Sequence, residues 1–407
     1  MSGRVVIVGA GQAGGRTAQA LRRLGHAGPV TLVGDEALPP YERPPLSKEV
    51  LLGRADPASL QLMQQEEGWR DIGVELRCAA RAAGIDRAAR RVCMDDGTAL
   101  DYEHLVLATG ARPRAFPGPV EPGTELLYLR TVDDALRLAP RLAPGRRLGI
   151  VGAGFIGLEL AATARTLGAE VTLVEAAPRP LARLLPAAFA LEQIELHRAR
   201  GVQVLLGQAV ERIAPGRIDL AGGRGVDVDT IVVGIGAHPN DELAAAAGLA
   251  VRDGIVVDAA GRSSDPAIHA VGDVARHVDA RAELDHRLES WRNAEDGAQA
   301  AAASILGLPP PRPPVPWFWT DQYGRNIQIA GRPDDSHRCV VLGTPDDGPR
   351  LACYLDAAAR LRGAIGIDCA RELRRAMKLI ESGEPVEEGA LPAPRPRTRA
   401  PSEAVAT

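Results

Sequence analysis

Paired cysteines are missing from this chain of 407 residues. The five cysteines are Cys78, Cys93, Cys339, Cys353 and Cys369, and they form no C-x-x-C or C-x4-C pair. This argues against an enzyme that reduces disulfides through a local thiol pair, and against an iron–sulfur centre held by cysteine. The eight histidines are also dispersed, with no H-x3-H or H-E-x-x-H motif. We therefore expect no metal site.

Long apolar segments and a strong charge of one sign are absent too. No run approaches the roughly 20 residues that span a membrane. The first strand-like run begins at Val5, and we therefore expect no signal peptide. The formal net charge of −4 gives no electrostatic reason to bind nucleic acid or an anionic membrane. With 45% hydrophobic and 25% charged residues, we expect a globular cytoplasmic protein with two or three domains.

Two glycine-rich turns of one kind are present. Residues 9–14 read GAGQAG and residues 152–157 read GAGFIG, and each follows a β-branched run and precedes a helical pattern. The first glycine of such a turn permits the bend, the second lets the backbone approach a pyrophosphate, and the third lets the helix pack on the sheet. The phosphates then bind at the helix N-terminus. The predicted phosphate-binding glycines are Gly9, Gly11, Gly14, Gly152, Gly154 and Gly157.

An acidic residue ends the strand that follows each turn. Asp35 stands 21 positions after Gly14, close to the spacing of about 20 at which a carboxylate accepts ribose hydroxyls. Glu175 occupies the matching place in the second copy, where a carboxylate repels the 2′-phosphate of NADP. Two dinucleotide sites in one protein indicate a flavin that exchanges electrons with a nicotinamide. The sequence therefore predicts a redox enzyme that prefers NADH.

The order of strand and helix patterns predicts an α/β fold. The first unit ends on LVLATG at residues 105–110 and the second on IVVGIG at residues 231–236. The two halves therefore look like copies of one Rossmann-like plan. Strand-like runs resume near residue 255, and a last segment after residue 315 mixes strands with a helix.

Seven motifs carry a family resemblance. They are YERPPLSK at 41–48, LATG at 107–110, YLRT at 128–131, VVGIG at 232–236, VGDV at 271–274, ESWRNA at 289–294 and PWFWTDQ at 316–322. With these motifs in this order, the chain resembles the FAD-dependent, NADH-using ferredoxin reductases of the glutathione-reductase superfamily. Those enzymes serve bacterial Rieske-type aromatic dioxygenases and some cytochromes P450.

The resemblance implies a glutathione-reductase-like architecture with two Rossmann-like domains and a C-terminal α+β domain. The FAD domain would comprise residues 1–112 and 242–315, the NAD domain residues 113–241, and the C-terminal domain residues 316–390, before a disordered tail at 391–407. Hydride would pass from NADH to FAD, and single electrons would then pass to a [2Fe–2S] ferredoxin that supplies an oxygenase or P450. Two alternatives stay open, a rubredoxin reductase and an NADH-binding flavoprotein redox sensor with slow turnover.

The resemblance also assigns site residues. The residues implied to bind FAD are Gly9, Gly11, Ala13, Gly14, Asp35, Lys48, Ala82, Thr109, Gly110, Arg130, Asp273 and Trp291. Within this set Asp35 would bind the adenosine ribose, Asp273 the ribityl chain, and Trp291 would border the flavin ring. The residues implied to bind NAD are Gly152, Gly154, Gly157, Glu159, Glu175 and Gly236.

Lys48 and Glu159 are the predicted catalytic pair. The resemblance places Lys48 beside the flavin, where a cation favours electron density arriving at the N5/O4 edge. It also implies that Glu159 forms an ion pair with Lys48 across the domain boundary. The alternative is that Glu159 only interacts with its helix dipole and that Lys48 is solvated.

Aromatic residues are scarce, and three of them are adjacent. The chain has four tryptophans and four phenylalanines, and Trp317, Phe318 and Trp319 stand together. One interpretation is a wall over the flavin at the place where a ferredoxin docks. The other is ordinary core packing of the last domain.

Overall fold

A computed structural model describes residues 3–63, 65–181, 185–279, 284–309, 311–312, 314–343 and 348–394. The first part of the chain alternates strands and helices. Its elements are β1 (Val5–Val8), α1 (Gln12–Arg23), β2 (Val30–Val33), α2 (Gln65–Asp71), β3 (Val74–Arg77), β4 (Ala82–Asp86), β5 (Arg91–Met94), β6 (Ala99–Asp101), β7 (His104–Leu107) and β8 (Ala111–Pro113). A short 3-10 turn at Pro44–Ser47 precedes Lys48.

The middle of the chain repeats this alternation. Its elements are α3 (Val132–Leu138), β9 (Arg147–Val151), α4 (Phe155–Thr166), β10 (Glu170–Glu175), α5 (Ala187–Ala199), β11 (Gln203–Leu206), β12 (Val210–Ala214), β13 (Arg217–Leu220), β14 (Arg224–Asp227), β15 (Thr230–Val233), β16 (Ala237–Pro239) and α6 (Glu242–Ala246).

The last part begins with short strands and ends in an antiparallel sheet. Its elements are β17 (Ile255–Val257), β18 (Ile268–Ala270), β19 (Ala275–Asp279), β20 (Leu284–His286), α7 (Trp291–Ile305), β21 (Trp317–Gln322), β22 (Arg325–Gly331), β23 (Arg338–Gly343), β24 (Arg350–Leu355), β25 (Leu361–Ile367) and α8 (Ala370–Ser382).

Two parallel sheets organise the nucleotide-binding halves. The first has the order β18-β7-β1-β2-β3 and the second the order β11-β10-β9-β15. Their strands are rich in valine, isoleucine and leucine, and β1 and β15 are buried along their whole length, as parallel strands covered on both faces require. In each sheet the glycine-rich turn follows a strand with neighbours on both sides, β1 or β9. Ligands of open α/β sheets bind at such carboxyl ends.

The chain returns to the first sheet after it has built the second. Strand β18 pairs in parallel with β7, although β9 to β16 lie between them in sequence. The short antiparallel pair of β8 and β16 lies where the chain leaves one half and returns from the other. The first sheet is thus assembled from two separate segments of the chain.

The C-terminal part is an antiparallel sheet with the order β21-β22-β25-β24-β23, and α8 packs on it through Leu373 and Ala376. The expected fold class, two Rossmann-like units plus a C-terminal α+β domain, is confirmed. The prediction that the disordered tail begins at residue 391 is wrong for Leu391 itself. This residue is 5% exposed and packs in the same core as Leu373. Residues 395–407 of that predicted tail lie outside the described residues.

One apolar cluster connects the parts of the molecule. It includes Leu46 from the 3-10 turn, Leu160 of α4, Leu173 of β10, and Ile365 of β25. The 3-10 turn, the second parallel unit and the C-terminal sheet therefore bury apolar surface against one another. Among the helices formed by the described residues, none combines the length and apolar character needed to cross a membrane.

Truncation of Leu160 tests this shared core. Leu160 is 0% exposed on α4, whereas Leu191 is 46% exposed on α5. We expect Leu160→Ala to lose about 3 kcal/mol of unfolding free energy, because it leaves a cavity. Leu191→Ala, the matched control, should change it by less than about 0.5 kcal/mol. Thermal unfolding followed by circular dichroism measures both, and equal midpoints for the two variants would contradict this core.

Candidate functional site

The two glycine-rich turns have the same geometry. A Cβ atom at Gly14 would lie 1.8 Å from the Gly9 carbonyl oxygen, and one at Gly157 would lie 2.2 Å from that of Gly152. These positions exclude a side chain because helix and strand approach closely. A Cβ at Gly11, by contrast, meets no atom closer than Arg43 Nη2 at 3.9 Å.

The open side of each turn faces the start of a helix. A Cβ at Gly154 would likewise have only one neighbour within 4 Å, the Gly234 carbonyl oxygen at 3.9 Å. Within the described residues, neither α1 nor α4 receives a side-chain cap at its N-terminus. Uncapped N–H groups beside an open glycine backbone fit an anionic pyrophosphate. The residues present therefore suit one dinucleotide at each turn.

The two strand-end acids differ in their surroundings. Asp35 is exposed just after β2. Glu175 ends β10, and its carboxylate accepts hydrogen bonds from the backbone N–H groups of Ala153 at 2.7 Å and Ala177 at 2.8 Å. Because Ala153 lies inside the second turn, these bonds hold the Glu175 charge next to the predicted NAD site.

An arginine network that sequence reasoning missed lies beside the first turn. Arg43 donates to Glu36 at 2.5 Å and to the Arg130 carbonyl oxygen at 2.7 Å. The Tyr41 hydroxyl also donates to Glu36, and burial raises the pKa of this phenol. Arg130 in turn pairs with Asp273 at 2.7 Å. The structure thus connects two residues predicted to bind FAD, and the motif at 41–48 was the available signal for Tyr41 and Arg43.

Other predicted cofactor-binding residues lie in the two nucleotide-binding units. Thr109 donates through its hydroxyl to the Asn240 carbonyl oxygen at 2.6 Å, and Asn240 donates back to Thr109. Gly110 has a φ of 67° near Arg130. Ala82 begins β4, is buried, and packs in a cluster with β1 and β2 residues. After β15 of the second unit, the Gly236 carbonyl oxygen accepts a hydrogen bond from the Arg114 N–H at 2.9 Å. Ala13 is buried in α1.

Lys48 and Glu159 form the predicted ion pair. Lys48 Nζ lies 3.0 Å from Glu159 Oε1, and the two side chains are only 9% and 4% exposed. The alternative of a solvated Lys48 is therefore wrong. Glu159 also accepts hydrogen bonds from the hydroxyls of Ser47 and Thr320. Burial raises the pKa of the Glu159 carboxyl, against the opposing effects of Lys48, Ser47 and Thr320.

A buried hydrogen-bond chain, also missed from the sequence, continues from Thr320. Gln322 Nε2 donates to Thr320 Oγ1 at 3.2 Å, and Gln322 Oε1 lies 2.9 Å from His197 Nε2. The Tyr323 hydroxyl lies 2.9 Å from His197 Nδ1. Burial lowers the pKa of His197 to about 4, so its imidazole is neutral. The motif at 316–322 contained Thr320 and Gln322, but His197 had no sequence signal.

The adjacent aromatic residues at 317–319 lie on β21, and their side chains point to both faces of that strand. Trp317 and Trp319 stack with ring centroids 5.1 Å apart, and Trp291 meets Trp319 edge-on at 5.8 Å. Phe318 contacts Phe155, the first residue of α4, with a centroid distance of 4.4 Å. All three residues of the 317–319 run are half-buried. The tryptophans therefore lie at the N-terminus of α7, while Phe318 lies at the second glycine-rich turn.

One group of potential metal ligands occurs among the described residues. His238, Asp241 and Glu242 have ligand atoms within 4.8 Å of one another. Asp241 already accepts a hydrogen bond from the Gly254 N–H at 2.9 Å, and Glu242 pairs with Arg112 at 2.6 Å. These protein partners account for both carboxylates.

Comparison with known proteins decides the family. Residues 3–298 match the model of the pyridine nucleotide-disulphide oxidoreductases. The chain belongs to this family. Residues 317–400 match the reductase C-terminal model. Within the family, the chain is similar to the anthranilate 1,2-dioxygenase system ferredoxin–NAD(+) reductase component of Burkholderia cepacia, with 42% identity over 93% of this chain and 94% of that protein.

Two further relatives agree. The chain is 41% identical to the rhodocoxin reductase of Rhodococcus erythropolis over 94% of this chain and 90% of that protein. It superposes on the reductase of a covalent putidaredoxin reductase–putidaredoxin complex with a TM-score of 0.89 and 34% identity, over 96% and 95% of the two chains. These likenesses confirm the resemblance noted in the sequence. This chain, as a member of the family, is an oxidoreductase that uses FAD and NAD(H).

Gly11 provides a test of the predicted FAD cradle. Because its Cβ would point into open space, Gly11→Ala should fold normally but should obstruct the pyrophosphate and weaken FAD binding at least about tenfold. Gly14→Ala should instead lower the thermal midpoint, since its Cβ would overlap the Gly9 carbonyl oxygen. FAD titration of the apoprotein measures the first effect.

Gly389→Ala is the matched control, because a Cβ there meets no atom within 4 Å and Gly389 is far along the chain from the turn. Its FAD affinity should equal that of the unmodified protein. Unchanged FAD affinity in Gly11→Ala would place the pyrophosphate elsewhere.

Proposed function

We propose that the protein is an NADH:ferredoxin reductase, which takes hydride from NADH onto FAD and then passes the two electrons singly to a [2Fe–2S] ferredoxin of a Rieske oxygenase or cytochrome P450 system. The observation that carries the proposal is the likeness to the Burkholderia cepacia reductase component over 93% of the chain. The likeness to a reductase solved in complex with putidaredoxin supports the same kind of partner.

The thiols support electron transfer to a separate protein rather than to an internal disulfide. All five cysteines, each within the described residues, are free thiols. Burial raises the pKa of Cys353 and of Cys369 to about 12, which makes both unreactive. Free thiols also suit a reducing compartment, and we place the protein in the cytoplasm.

The residues of the two glycine-rich turns and of the Lys48–Glu159 pair have distinct roles in this proposal. FAD, when bound, supplies the group that accepts hydride and releases single electrons. The two glycine-rich turns hold the pyrophosphates, and Asp35 binds a ribose. Lys48 holds positive charge at the flavin, and Glu159 keeps Lys48 in place. Arg130 and Asp273 contact FAD, and Trp291 borders the ring.

NADH preference follows from Glu175. Its carboxylate lies against the second turn through the Ala153 N–H and would repel a 2′-phosphate. Arg179, four residues further on, pairs with Asp335 at 3.0 Å. That pairing directs a nearby positive charge toward the C-terminal domain and favours NADH further.

Ferredoxin dependence is the first test. The FAD-loaded protein, given NADH, should reduce cytochrome c much faster when a [2Fe–2S] ferredoxin is added, because cytochrome c then receives electrons from the ferredoxin. Rubredoxin is measured in parallel. A gain with rubredoxin alone would favour a rubredoxin reductase, and a long-lived reduced flavin–NAD complex with no gain from either would favour the redox sensor.

Glu175→Gln tests the nicotinamide preference. Removal of the charge should lower the ratio of kcat/KM for NADH to that for NADPH about tenfold, which corresponds to about 1.4 kcal/mol. Glu170→Gln, at the other end of β10, is the matched control and should leave the ratio unchanged. An unchanged ratio in Glu175→Gln would remove Glu175 from the specificity site.

A further inference from the structure

Three buried polar residues have no place in the proposed electron transfer. Thr320 and Gln322 are each 1% exposed, and His197 is 0% exposed. Buried polar groups cost free energy unless they are hydrogen-bonded. The three are bonded to one another in a single chain that ends on Glu159.

The hydrogen bonds in this chain have one direction. Gln322 presents Nε2 to Thr320, so it presents Oε1 to His197. A neutral imidazole has one donor and one acceptor, and the proton therefore lies on Nε2 while Nδ1 accepts from the Tyr323 hydroxyl. Each donor thus points toward the next residue on the way to Glu159.

The direction of the chain determines what Thr320 can do. Because the Thr320 oxygen already accepts from Gln322, its own proton is free to donate to Glu159 Oε1 at 2.7 Å. That is the same carboxylate oxygen that lies 3.0 Å from Lys48. Donation to a carboxylate stabilises its ionised form.

The geometry points to Thr320, oriented by Gln322 and His197, as a positioning residue that keeps Glu159 ionised and directed at Lys48 during NADH oxidation. This inference rests on the proposed function of the Lys48–Glu159 pair. It also gives the C-terminal domain a role beside the predicted NAD site, because Thr320 lies on β21 and Glu159 lies on α4, the helix that follows the second glycine-rich turn.

The surroundings of Glu159 determine the expected pH dependence. Among the described residues, the charged group in contact with it is Lys48, on the segment after the 3-10 turn. Ser47 adds a hydroxyl from that segment, β21 adds Thr320, and α5 adds the neutral His197, which is three hydrogen bonds away from Glu159. Burial already raises the Glu159 pKa, so the loss of a donor raises it further.

Thr320→Val is the test, because it removes the hydroxyl and keeps the shape. The infrared band of protonated Glu159, assigned by its loss in Glu159→Gln, is titrated with pH in the FAD-loaded protein without NADH. We expect the midpoint to move up by about one pH unit, the size expected for one hydrogen bond to a charged group. The rise in the rate of flavin reduction by NADH with pH should move in the same direction.

Three further variants control for structural damage. Thr320→Ser keeps the hydroxyl and should restore the original midpoint. Gln322→Met keeps Thr320 but removes the donor that orients it, so a smaller upward shift is expected. Thr31→Val removes a buried hydroxyl of β2, which donates to Glu75 Oε2 at 3.0 Å, and should leave the infrared midpoint unchanged.

The outcomes separate this inference from the proposed function. An unchanged Glu159 midpoint in both Thr320→Val and Gln322→Met would overturn the role of Thr320, even if ferredoxin-dependent turnover is present. An equal shift in Thr31→Val would also overturn it, since any lost buried hydroxyl would then suffice. A shift confined to Thr320→Val and Gln322→Met supports the inference even in a protein that reduces no ferredoxin.

Discussion

The buried ion pair of Lys48 and Glu159 is the interaction on which the arrangement of this molecule depends. Two charges removed from water cost several kcal/mol each, and their attraction compensates only when the remaining hydrogen-bonding positions are also filled. Here the Ser47 hydroxyl donates to Oε2 of Glu159 and the Thr320 hydroxyl donates to Oε1. Since the four residues come from three separate parts of the chain, the charges are stable only when those parts are docked together.

Apolar contacts also hold these three parts of the chain together. Leu46, two residues before Lys48, belongs to the same cluster as α4 and β25 residues. Thr163, one turn after Glu159, donates to the Ser47 carbonyl oxygen. The apolar surface supplies most of the free energy, because hydrophobic burial is the dominant favourable contribution to folding. The polar contacts then define one register for α4 against the segment that carries Lys48.

Local patterns were sufficient to predict the two parallel units. A turn such as GAGQAG constrains its own backbone, so its glycine spacing alone assigns different tasks to Gly11 and Gly14. The Lys48–Glu159 pair was predictable only through the family resemblance, because 111 positions separate the two residues and no local pattern connects them. His197 and Arg43 show the limit, since the partner of His197, Gln322, and one partner of Arg43, the Arg130 carbonyl oxygen, come from distant parts of the chain. Leu391 shows another, because its proline-rich surroundings resemble a tail although tertiary packing buries it.

The motif at 316–322 has a simple structural explanation in β21. Successive side chains of a strand point to opposite faces. Phe318, Thr320 and Gln322 face the second nucleotide-binding unit, where they meet Phe155, Glu159 and His197 in turn. Trp317 and Trp319 face the other way, and Trp319 meets Trp291 at the start of α7. One strand therefore contacts both the ion-paired Glu159 and Trp291 at the start of α7. Because β21 is also hydrogen-bonded to β22, a displacement of the antiparallel sheet would move both sets together.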